Sequence, residues 1–186
     1  MLKIIKTFIP DLLIIEPQVF NDDRGYFFES YSQQKYFEEG ITLKFVQDNI
    51  SKSIYGTIRG LHYQVGKAAQ GKLCQAIVGK VLDVAVDIRF GSPTFGKSYS
   101  IELSAENHKQ LWIPPGFAHG FSVLSDIAIF SYKCTQYYSK YDERCILFSD
   151  EDLKINWQIN NPIISSKDLM GLQFSEINKD FYFIKK

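Results

Sequence analysis

This chain of 186 residues has a formal net charge of +0, three cysteines and three histidines, and it has no long apolar run. Its 21 basic residues balance 21 acidic residues, so the formal net charge is +0, and no basic run stands out locally. Such a chain has no long-range electrostatic field with which to attract DNA or RNA. The sequence therefore argues against nucleic-acid binding, and any anionic ligand must be held by a few local arginine and lysine side chains.

The three cysteines, Cys74, Cys134 and Cys145, are odd in number and lack CxxC spacing. They fit neither a disulfide framework nor a zinc ribbon, which indicates a reducing compartment. Cys74 and Cys134 lie in apolar runs and are predicted to be small buried hydrophobes. No run approaches the roughly 20 apolar residues of a membrane-spanning helix, and Pro10 and Asp11 interrupt the apolar N-terminal stretch. The sequence predicts a cytoplasmic protein that does not enter the membrane.

Short strand-like runs punctuated by glycine and proline dominate the chain, and 45% hydrophobic residues supply a sizeable core. The clearest pattern is a hairpin in which the runs 73–78 and 81–88 flank Gly79 and Lys80. Alternate residues of the second run form one wholly apolar and one mixed face, which predicts a half-buried strand. Other extended runs are predicted at residues 12–16, 19–29, 45–50, 54–64, 98–103, 110–113, 120–124 and 128–135.

A short helix is predicted from Ser32, which offers an N-cap, to about Glu39, before Gly40. The polar stretch 21–25 predicts a turn within the run 19–29. Beyond residue 135 the pattern weakens to a C-terminal segment with short helices. Strands spaced by about 8–12 residues favour an antiparallel sandwich or barrel. Because no repeat or linker interrupts the chain, residues 1–186 are predicted to form a single domain.

Only three histidines could serve as acid–base groups or metal ligands. His108 lies in a polar turn, where solvation is expected, whereas His62 and His119 lie among aromatic and glycine residues. The Pro-x-Gly-x-x-His stretch ending at His119 resembles the second motif of metal-binding cupins, but Tyr63 and Gln64 follow His62 where a second histidine is needed. A mononuclear site takes three or four protein ligands. Metal catalysis is therefore disfavoured, and no metal or other cofactor is predicted.

A histidine free of metal can act as a base. Proton abstraction beside a carbonyl needs that base, a donor or cation at the enolate oxygen, and an acid that returns a proton. His62 is the natural base because its ordinary pKa lies near neutrality. Lys72 could hold the enolate oxygen, and Asp168 could orient His62. With 11 tyrosines in the chain, the identity of the acid stays open.

A series of motifs between about residues 8 and 169 resembles the dTDP-4-dehydrorhamnose 3,5-epimerase family in order and spacing. The motifs are DRGYFFE (23–29), QDN (47–49), RGLHYQ (59–64), GKL (71–73), DVAVDIR (83–89), SPTFG (92–96), PPGFAHGF (114–121), YKCT (132–135) and KD (167–168). The resemblance implies an all-β, metal-free cupin jelly roll with short flanking helices, mainly C-terminal. It also implies a homodimer that exchanges N-terminal strands.

The implied reaction converts dTDP-4-dehydro-6-deoxy-D-glucose into dTDP-4-dehydro-L-rhamnose by epimerisation at C3 and C5. By this resemblance His62 removes both protons, Tyr132 returns them on the opposite face, Lys72 stabilises the enolate and Asp168 pairs with His62. The implied substrate-binding residues are Arg24, Phe27, Glu29, Gln47, Asp48, Asn49, Arg59, His119, Tyr138, Glu143 and Lys167.

Arg24 and Arg59 are expected near the diphosphate, because a guanidinium donates two parallel hydrogen bonds to phosphate oxygens. Phe27 and Tyr138 are expected to stack on thymine. Three alternatives stay open: an epimerase acting only at C3 or only at C5, a non-catalytic sugar-binding cupin, and a metal-dependent cupin oxygenase or isomerase. A base, an acid and an enolate donor in one chain argue against binding alone.

Overall fold

The structure is a computed structural model that describes residues 2–185, so the predicted domain limits at residues 1 and 186 lie outside the described range. The strands are β1 (Lys3–Lys6), β2 (Leu13–Glu16), β3 (Val19–Asp22), β4 (Gly25–Phe28), β5 (Gln47–Ile54), β6 (Ile58–Gln64), β7 (Lys72–Val78), β8 (Lys80–Asp87), β9 (Ser98–Ser104), β10 (Gln110–Ile113), β11 (Phe117–Val123), β12 (Ile127–Cys134) and β13 (Glu143–Cys145). The helices are α1 (Gln33–Glu38) and the 3₁₀ helices Gly66–Ala68, Asp168–Met170 and Phe174–Glu176. None of the helices between residues 2 and 185 is long and apolar enough to span a bilayer.

Two sheets make up the body of the molecule. The first has the order β1-β2-β10-β7-β12-β5, and the second has the order β13-β6-β11-β8-β9. All pairings between these strands are antiparallel. From β5 to β13 the chain alternates between the two sheets at every step except β8 to β9, so residues distant in sequence meet at the sheet ends. The predicted antiparallel sandwich is therefore confirmed.

The main core lies between the two sheets. It joins Leu111 of β10 and Phe130 of β12 to Phe121 of β11 and Leu103 of β9, all between 0% and 4% exposed. Burying each such side chain stabilises the fold by about 1.5–3 kcal/mol. Cys74, predicted to be a buried hydrophobe, lies in this core at 0% exposure. The interior between the sheets thus provides the rigid wall behind the site described below.

Strand β8 is buried on both faces, so the prediction of a half-buried strand was wrong. Val81 and Ala85 face the core between the sheets. Leu82, Val84 and Val86 face a second core, formed with Ile146, Leu153, Trp157 and Ile177 of the C-terminal segment. That segment covers the outer face of the second sheet. The mixed face thus lies against the core between the sheets and the apolar face against the covering segment, so an alternating pattern does not show whether the second face of a strand meets solvent or protein.

Element boundaries differ from the predictions at several places. The extended run predicted at 54–64 is broken by a turn at Tyr55 and Gly56, and the strand predicted from residue 120 begins at Phe117. The predictions missed β1 and β13, which are only four and three residues long. Ser32 occupies the predicted N-cap of α1, but its side chain makes no capping hydrogen bond.

Strands β3 and β4 form a separate two-stranded hairpin. His108 anchors it, because its ring centroid lies 4.5 Å from that of Tyr26 and 5.2 Å from that of Phe28. The expectation that His108 is solvated was therefore wrong, since the ring is half-buried against the hairpin. On the other face, the cross-strand partners Phe20 and Phe27 are 55% and 70% exposed.

Strands β6 and β11 approach each other closely at Gly60 and Gly120. A Cβ added to Gly60 would lie 2.5 Å from the Gly120 Cα atom and 2.9 Å from the His119 carbonyl oxygen. Gly60 also has φ of +136°, a conformation that side chains disfavour. The register of the two strands shifts between His119 and Phe121, next to the glycine contact. Glycine at this point lets β6 bring His62 close to the strand that carries His119.

We predict that Gly60→Ala lowers the free energy of unfolding by about 1–3 kcal/mol more than Gly25→Ala, the cost of overpacking a close contact. Gly25 is the matched control because its φ of +129° is similar, but nothing lies within 4 Å of an added Cβ. Urea denaturation of both variants measures the difference. Equal losses of stability would show that the backbone conformation, and not the strand contact, requires glycine at position 60.

Candidate active site

A polar cavity of about 290 Å³ opens where β5, β7 and β12 of the first sheet meet β6 and β13 of the second. Predicted site residues contribute much of its wall, namely Gln47, Asn49, His62, Lys72, Tyr132, Tyr138 and Glu143. The predictions missed Tyr63, Gln64 and Gln70, which also line it. The Gln64 carboxamide oxygen accepts a hydrogen bond of 2.6 Å from the Ser139 backbone N–H. Gln64 thereby fixes the loop that carries Tyr138.

His62 and Asp168 form a hydrogen-bonded pair at this cavity. The distance between His62 Nε2 and Asp168 Oδ1 is 2.7 Å, and Asp168 Oδ2 accepts a bond from the Gly60 backbone N–H. Burial raises the pKa of the Asp168 carboxyl, but the hydrogen bond and charge interaction with His62, together with hydrogen bonds from Gly60 and Ser165, outweigh it, so the pKa lies below its ordinary value. An ionised carboxylate can only accept, so Nε2 carries a proton and the neutral imidazole keeps its lone pair on Nδ1.

Lys72 and Tyr132 lie on neighbouring strands across the cavity from this pair. The Lys72 Nζ atom is 5.8 Å from the centroid of the Tyr132 ring. The two residues are diagonal neighbours in the β7–β12 pairing, which places their side chains on one face. Burial raises the pKa of the Tyr132 phenol to about 12. The phenol therefore holds its proton at neutral pH and can donate it.

Polar side chains around Tyr138 form the rim of the cavity. The Tyr138 hydroxyl donates to Glu143 Oε2 at 2.9 Å, and Lys167 donates to the same oxygen. The Tyr138 backbone N–H donates to Gln47 Oε1, while the Gln47 amide donates to Asn49 Oδ1, each at 3.0 Å. Burial raises the pKa of Glu143, but the bonds from Lys167 and Tyr138 outweigh it and keep the carboxylate ionised.

Two predicted binding residues lie beside the cavity instead of lining it. Arg59 lines an adjoining groove that also contains Asp168, and its Nε donates to Ser53 Oγ at 3.1 Å. Asp48 points away from the cavity and pairs with Lys133 Nζ at 2.9 Å. Because Asp48 lies between Gln47 and Asn49 in β5, strand alternation turns its side chain to the opposite face. Of the three residues of the QDN motif (47–49), Gln47 and Asn49 therefore face the cavity and Asp48 does not.

His119 lies behind the cavity, in the interior between the sheets. It is 5% exposed, and its Nε2 lies 2.6 Å from Asp83 Oδ1 and 3.8 Å from Cys74 Sγ. Burial lowers the pKa of the imidazole, which favours the neutral ring. His119 is the Cα partner of His62 across β6 and β11, so the two histidines stand side by side with separate carboxylates.

Arg24, Phe27 and Glu29 are not part of the cavity wall of their own chain. The exposed Arg24 pairs with Asp22, and Glu29 lies 2.9 Å from Lys35. The structure thus separates the hairpin residues from His62, although the sequence places all of them in one binding site.

Among residues 2–185, two groups of side chains combine the histidine, cysteine and aspartate ligands of a transition metal. One is His62, Cys145 and Asp168, and the other is Cys74, Asp83 and His119; within each group the ligand atoms lie within 4.8 Å of one another. Motif spacing did not reveal either group, because each draws on three separate segments.

The fold and the cavity define a class of protein: an antiparallel β-sandwich with a polar cavity that brings together a histidine–aspartate pair, a lysine and a tyrosine. The sequence profile described as dTDP-4-dehydrorhamnose 3,5-epimerase matches residues 6–176. A curated protein of that name from Shigella flexneri is 57% identical over 185 residues, covering 98% of this chain and 100% of the relative. The chain therefore belongs to the dTDP-4-dehydrorhamnose 3,5-epimerase family.

Solved structures agree with this assignment. The crystal structure of dTDP-6-deoxy-D-glucose-3,5-epimerase RmlC from Legionella pneumophila, in complex with dTDP-4-keto-L-rhamnose, superposes with a TM-score of 0.95 at 46% identity, covering 100% of both chains. The 3'-monoepimerase ChmJ from Streptomyces bikiniensis, in complex with dTDP-quinovose, gives 0.85 at 29% identity, covering 91% of this chain and 86% of ChmJ. The fold is the predicted cupin-type jelly roll.

We predict that Tyr132 remains a phenol at pH 10, where an ordinary tyrosine is half ionised. The reason is that burial raises its pKa to about 12. The Cζ chemical shift of ¹³C-labelled tyrosine in NMR reports ionisation directly, and the resonance that disappears in Tyr132→Phe identifies the residue. A Tyr132 resonance that titrates with a midpoint near pH 10 would contradict the prediction.

Proposed function

We propose that this protein epimerises dTDP-4-dehydro-6-deoxy-D-glucose at C3 and C5 to give dTDP-4-dehydro-L-rhamnose. The observation that carries the proposal is the meeting of His62, Asp168, Lys72 and Tyr132 around one cavity in a chain of this family. A ketone at C4 acidifies both neighbouring carbons, so one base and one enolate site can serve C3 and C5 in turn. No change of oxidation state occurs.

His62 is the proposed base. With Nε2 bonded to Asp168, the lone pair of the neutral imidazole on Nδ1 accepts the proton from carbon. Asp168 stays ionised and so stabilises the imidazolium that results, in addition to fixing the ring orientation. Asp168 is thus a positioning and electrostatic partner of the base, and no proton has to leave His62 for Asp168.

Lys72 is proposed to stabilise the enolate oxygen, and Tyr132 to return the proton. A cation at the enolate oxygen acts most strongly on the charge that develops in the transition state. Tyr132 stands across the cavity from His62, with its proton retained because burial raises the pKa of the phenol to about 12. Removal by one residue and return by another, on opposite faces of the sugar, inverts a carbon centre.

The nucleotide portion is proposed to bind along the cavity rim. Tyr138 offers an exposed ring for thymine, Arg59 borders the adjoining groove, and Gln47, Asn49, Glu143 and Lys167 supply polar contacts. His119 supports the cavity floor from behind, since it is 5% exposed. All three cysteines are free thiols, which supports a reducing compartment such as the cytoplasm.

We also propose a homodimer in which exchanged N-terminal strands deliver Arg24, Phe27 and Glu29 to the cavity of the partner. The support is that these residues do not line the cavity of their own chain, while the hairpin presents Phe27 outward at 70% exposure. An exposed aromatic pair on a protruding hairpin is typical of a surface that a partner or ligand covers. Arg24 would then meet the diphosphate from the partner's side.

The second candidate is epimerisation at a single carbon of a related nucleotide sugar. The observation that favours it is that the 3'-monoepimerase ChmJ has the same fold at 29% identity. The same base, lysine and acid suffice for one carbon or for two, and the distinction depends on how the sugar turns within the cavity.

We predict that His62→Ala and Tyr132→Phe each lower kcat by about 10²–10⁴-fold, the range for losing a general base or acid. NMR of the sugar protons measures conversion of dTDP-4-dehydro-6-deoxy-D-glucose. Tyr141→Phe is the matched control for the tyrosine, because Tyr141 is 92% exposed and outside the cavity wall. Near-normal turnover in folded His62→Ala would remove the base from this mechanism.

A mixing experiment tests the exchanged hairpin. Arg24→Ala and His62→Ala are each expected to be impaired at low substrate concentration. If Arg24 acts in the partner's cavity, a hybrid dimer of the two variants contains one fully intact site. Random hybrid formation should then restore roughly a quarter of wild-type activity, because half of the dimers are hybrids with one good site of two. Activity no greater than the average of the separate variants would place Arg24 in its own chain's site.

A further inference from the structure

Cys145 lies directly beside the proposed base. In the antiparallel pairing of β13 with β6, Cys145 and His62 are Cα partners. Cross-strand partners present their side chains on the same face with Cβ atoms about 4.5–5.5 Å apart. Nothing in the proposed epimerase mechanism uses the Cys145 thiol, which donates a weak hydrogen bond of 3.5 Å to the Ile146 carbonyl oxygen.

Asp168 is the third potential metal ligand in a group formed with Cys145 and His62. Its carboxylate comes from the C-terminal 3₁₀ helix and reaches His62 Nε2 at 2.7 Å. One ligand atom each from His62, Cys145 and Asp168 lies within 4.8 Å of the other two. The His62 side chain is 28% exposed and lines the cavity, so a dissolved ion has access to the group.

We propose that His62, Cys145 and Asp168 form an inhibitory binding site for Zn²⁺ or a similarly thiophilic divalent cation. One imidazole, one thiolate and one carboxylate are the ligand types that Zn²⁺ takes in proteins, and three protein ligands leave a fourth position for water. The open cavity supplies that water. Cation binding requires only the geometry of the group, whereas the inhibition rests on the proposed role of His62 as base.

The inhibition follows from which nitrogen the cation occupies. Nε2 is the His62 nitrogen that faces Asp168, so an ion shared with that carboxylate binds Nε2. Ligation through Nε2 displaces the proton from that nitrogen to solvent, and the neutral ring takes up a proton from solvent on Nδ1 instead. The imidazole then has no lone pair with which to remove a proton from carbon. Without a cation the Cys145 thiol is protonated, since burial raises its pKa to about 12. Binding as a thiolate therefore releases that proton to solvent.

The other group of metal-type ligands serves as an internal control. Cys74, Asp83 and His119 are between 0% and 5% exposed and lie in the interior between the sheets. An ion has no open route to them comparable with the cavity beside His62. Cys74→Ala therefore removes the thiol of this second histidine–cysteine–aspartate group and leaves the proposed inhibitory site unchanged.

Binding is tested without any assay of activity. Chelator-treated protein is titrated with Co²⁺, which gives a thiolate-to-metal charge-transfer band in the near ultraviolet when cysteine is a ligand. The band is expected in the wild type and in Cys74→Ala, and it is expected to be absent in Cys145→Ala. Adding Zn²⁺ to the Co²⁺-loaded wild type is expected to remove the band. No band in the folded wild type, or a band that persists in Cys145→Ala, would overturn the site. Circular dichroism verifies that each variant is folded.

Inhibition is tested separately with Zn²⁺ in the epimerase assay. Cys145→Ala is expected to keep its basal turnover, while its half-inhibiting Zn²⁺ concentration rises more than about 10-fold, the lower end of the cost of losing even an outer partner of a metal ligand. Equal inhibition of wild type and Cys145→Ala would contradict the inhibitory role. A wild type that shows the Co²⁺ band but has no epimerase activity in its chelator-treated, metal-free form would refute the proposed function and leave the metal site standing.

Discussion

The hydrogen bond between His62 and Asp168 joins the second sheet to the C-terminal segment at the cavity. His62 belongs to β6, within the second sheet, and Asp168 belongs to the C-terminal segment that covers the outer face of that sheet. The segment is held there by an apolar core that includes Ile146, Leu153 and Trp157, so the position of Asp168 depends on packing well outside the cavity. The buried carboxylate is satisfied further because the Gly60 N–H donates to its Oδ2 and the Ser165 side chain also hydrogen-bonds to it, while the Asp168 backbone N–H donates to Ser165 Oγ.

The same principle governs the other buried carboxylates. Asp87 is 0% exposed, and burial raises the pKa of its carboxyl, but hydrogen bonds from Arg89, Ser92 and Thr94 outweigh burial and hold the pKa below its ordinary value. Asp83 is also 0% exposed and is bonded to His119 through one oxygen. The mixed face of β8 therefore carries polar side chains into the interior: both Asp87 oxygens accept hydrogen bonds, whereas Asp83 Oδ2 has no hydrogen-bond partner among the described residues. That arrangement keeps the cavity wall rigid without an all-apolar core.

Much of the fold could be predicted from the sequence, because alternating runs and glycine-rich turns specify antiparallel strands locally. The burial of both faces of β8 could not be predicted, since the residues that cover its apolar face lie about 60 to 95 positions further along the chain. Chemistry also predicted the partnership of His62 with Asp168, because a base needs an orienting carboxylate. Cys145 was missed as a neighbour of His62, because β13 has three residues, two of them charged, and carries no strand signal. The separation of Arg24 from the cavity of its own chain could not be predicted either, because local patterns do not encode where the β3–β4 hairpin lies relative to the two sheets.

The measurement that tests the central claim most directly is isotope exchange at the sugar. The protein is incubated with dTDP-4-dehydro-6-deoxy-D-glucose in deuterated water, and deuterium at C3 and C5 is followed by mass spectrometry and NMR. Proton abstraction beside the C4 ketone by one base predicts deuterium at both carbons of dTDP-4-dehydro-L-rhamnose. Label at only one carbon would make the protein a single-position epimerase. Absence of label at both carbons, with the nucleotide sugar still bound, would contradict proton transfer at this site.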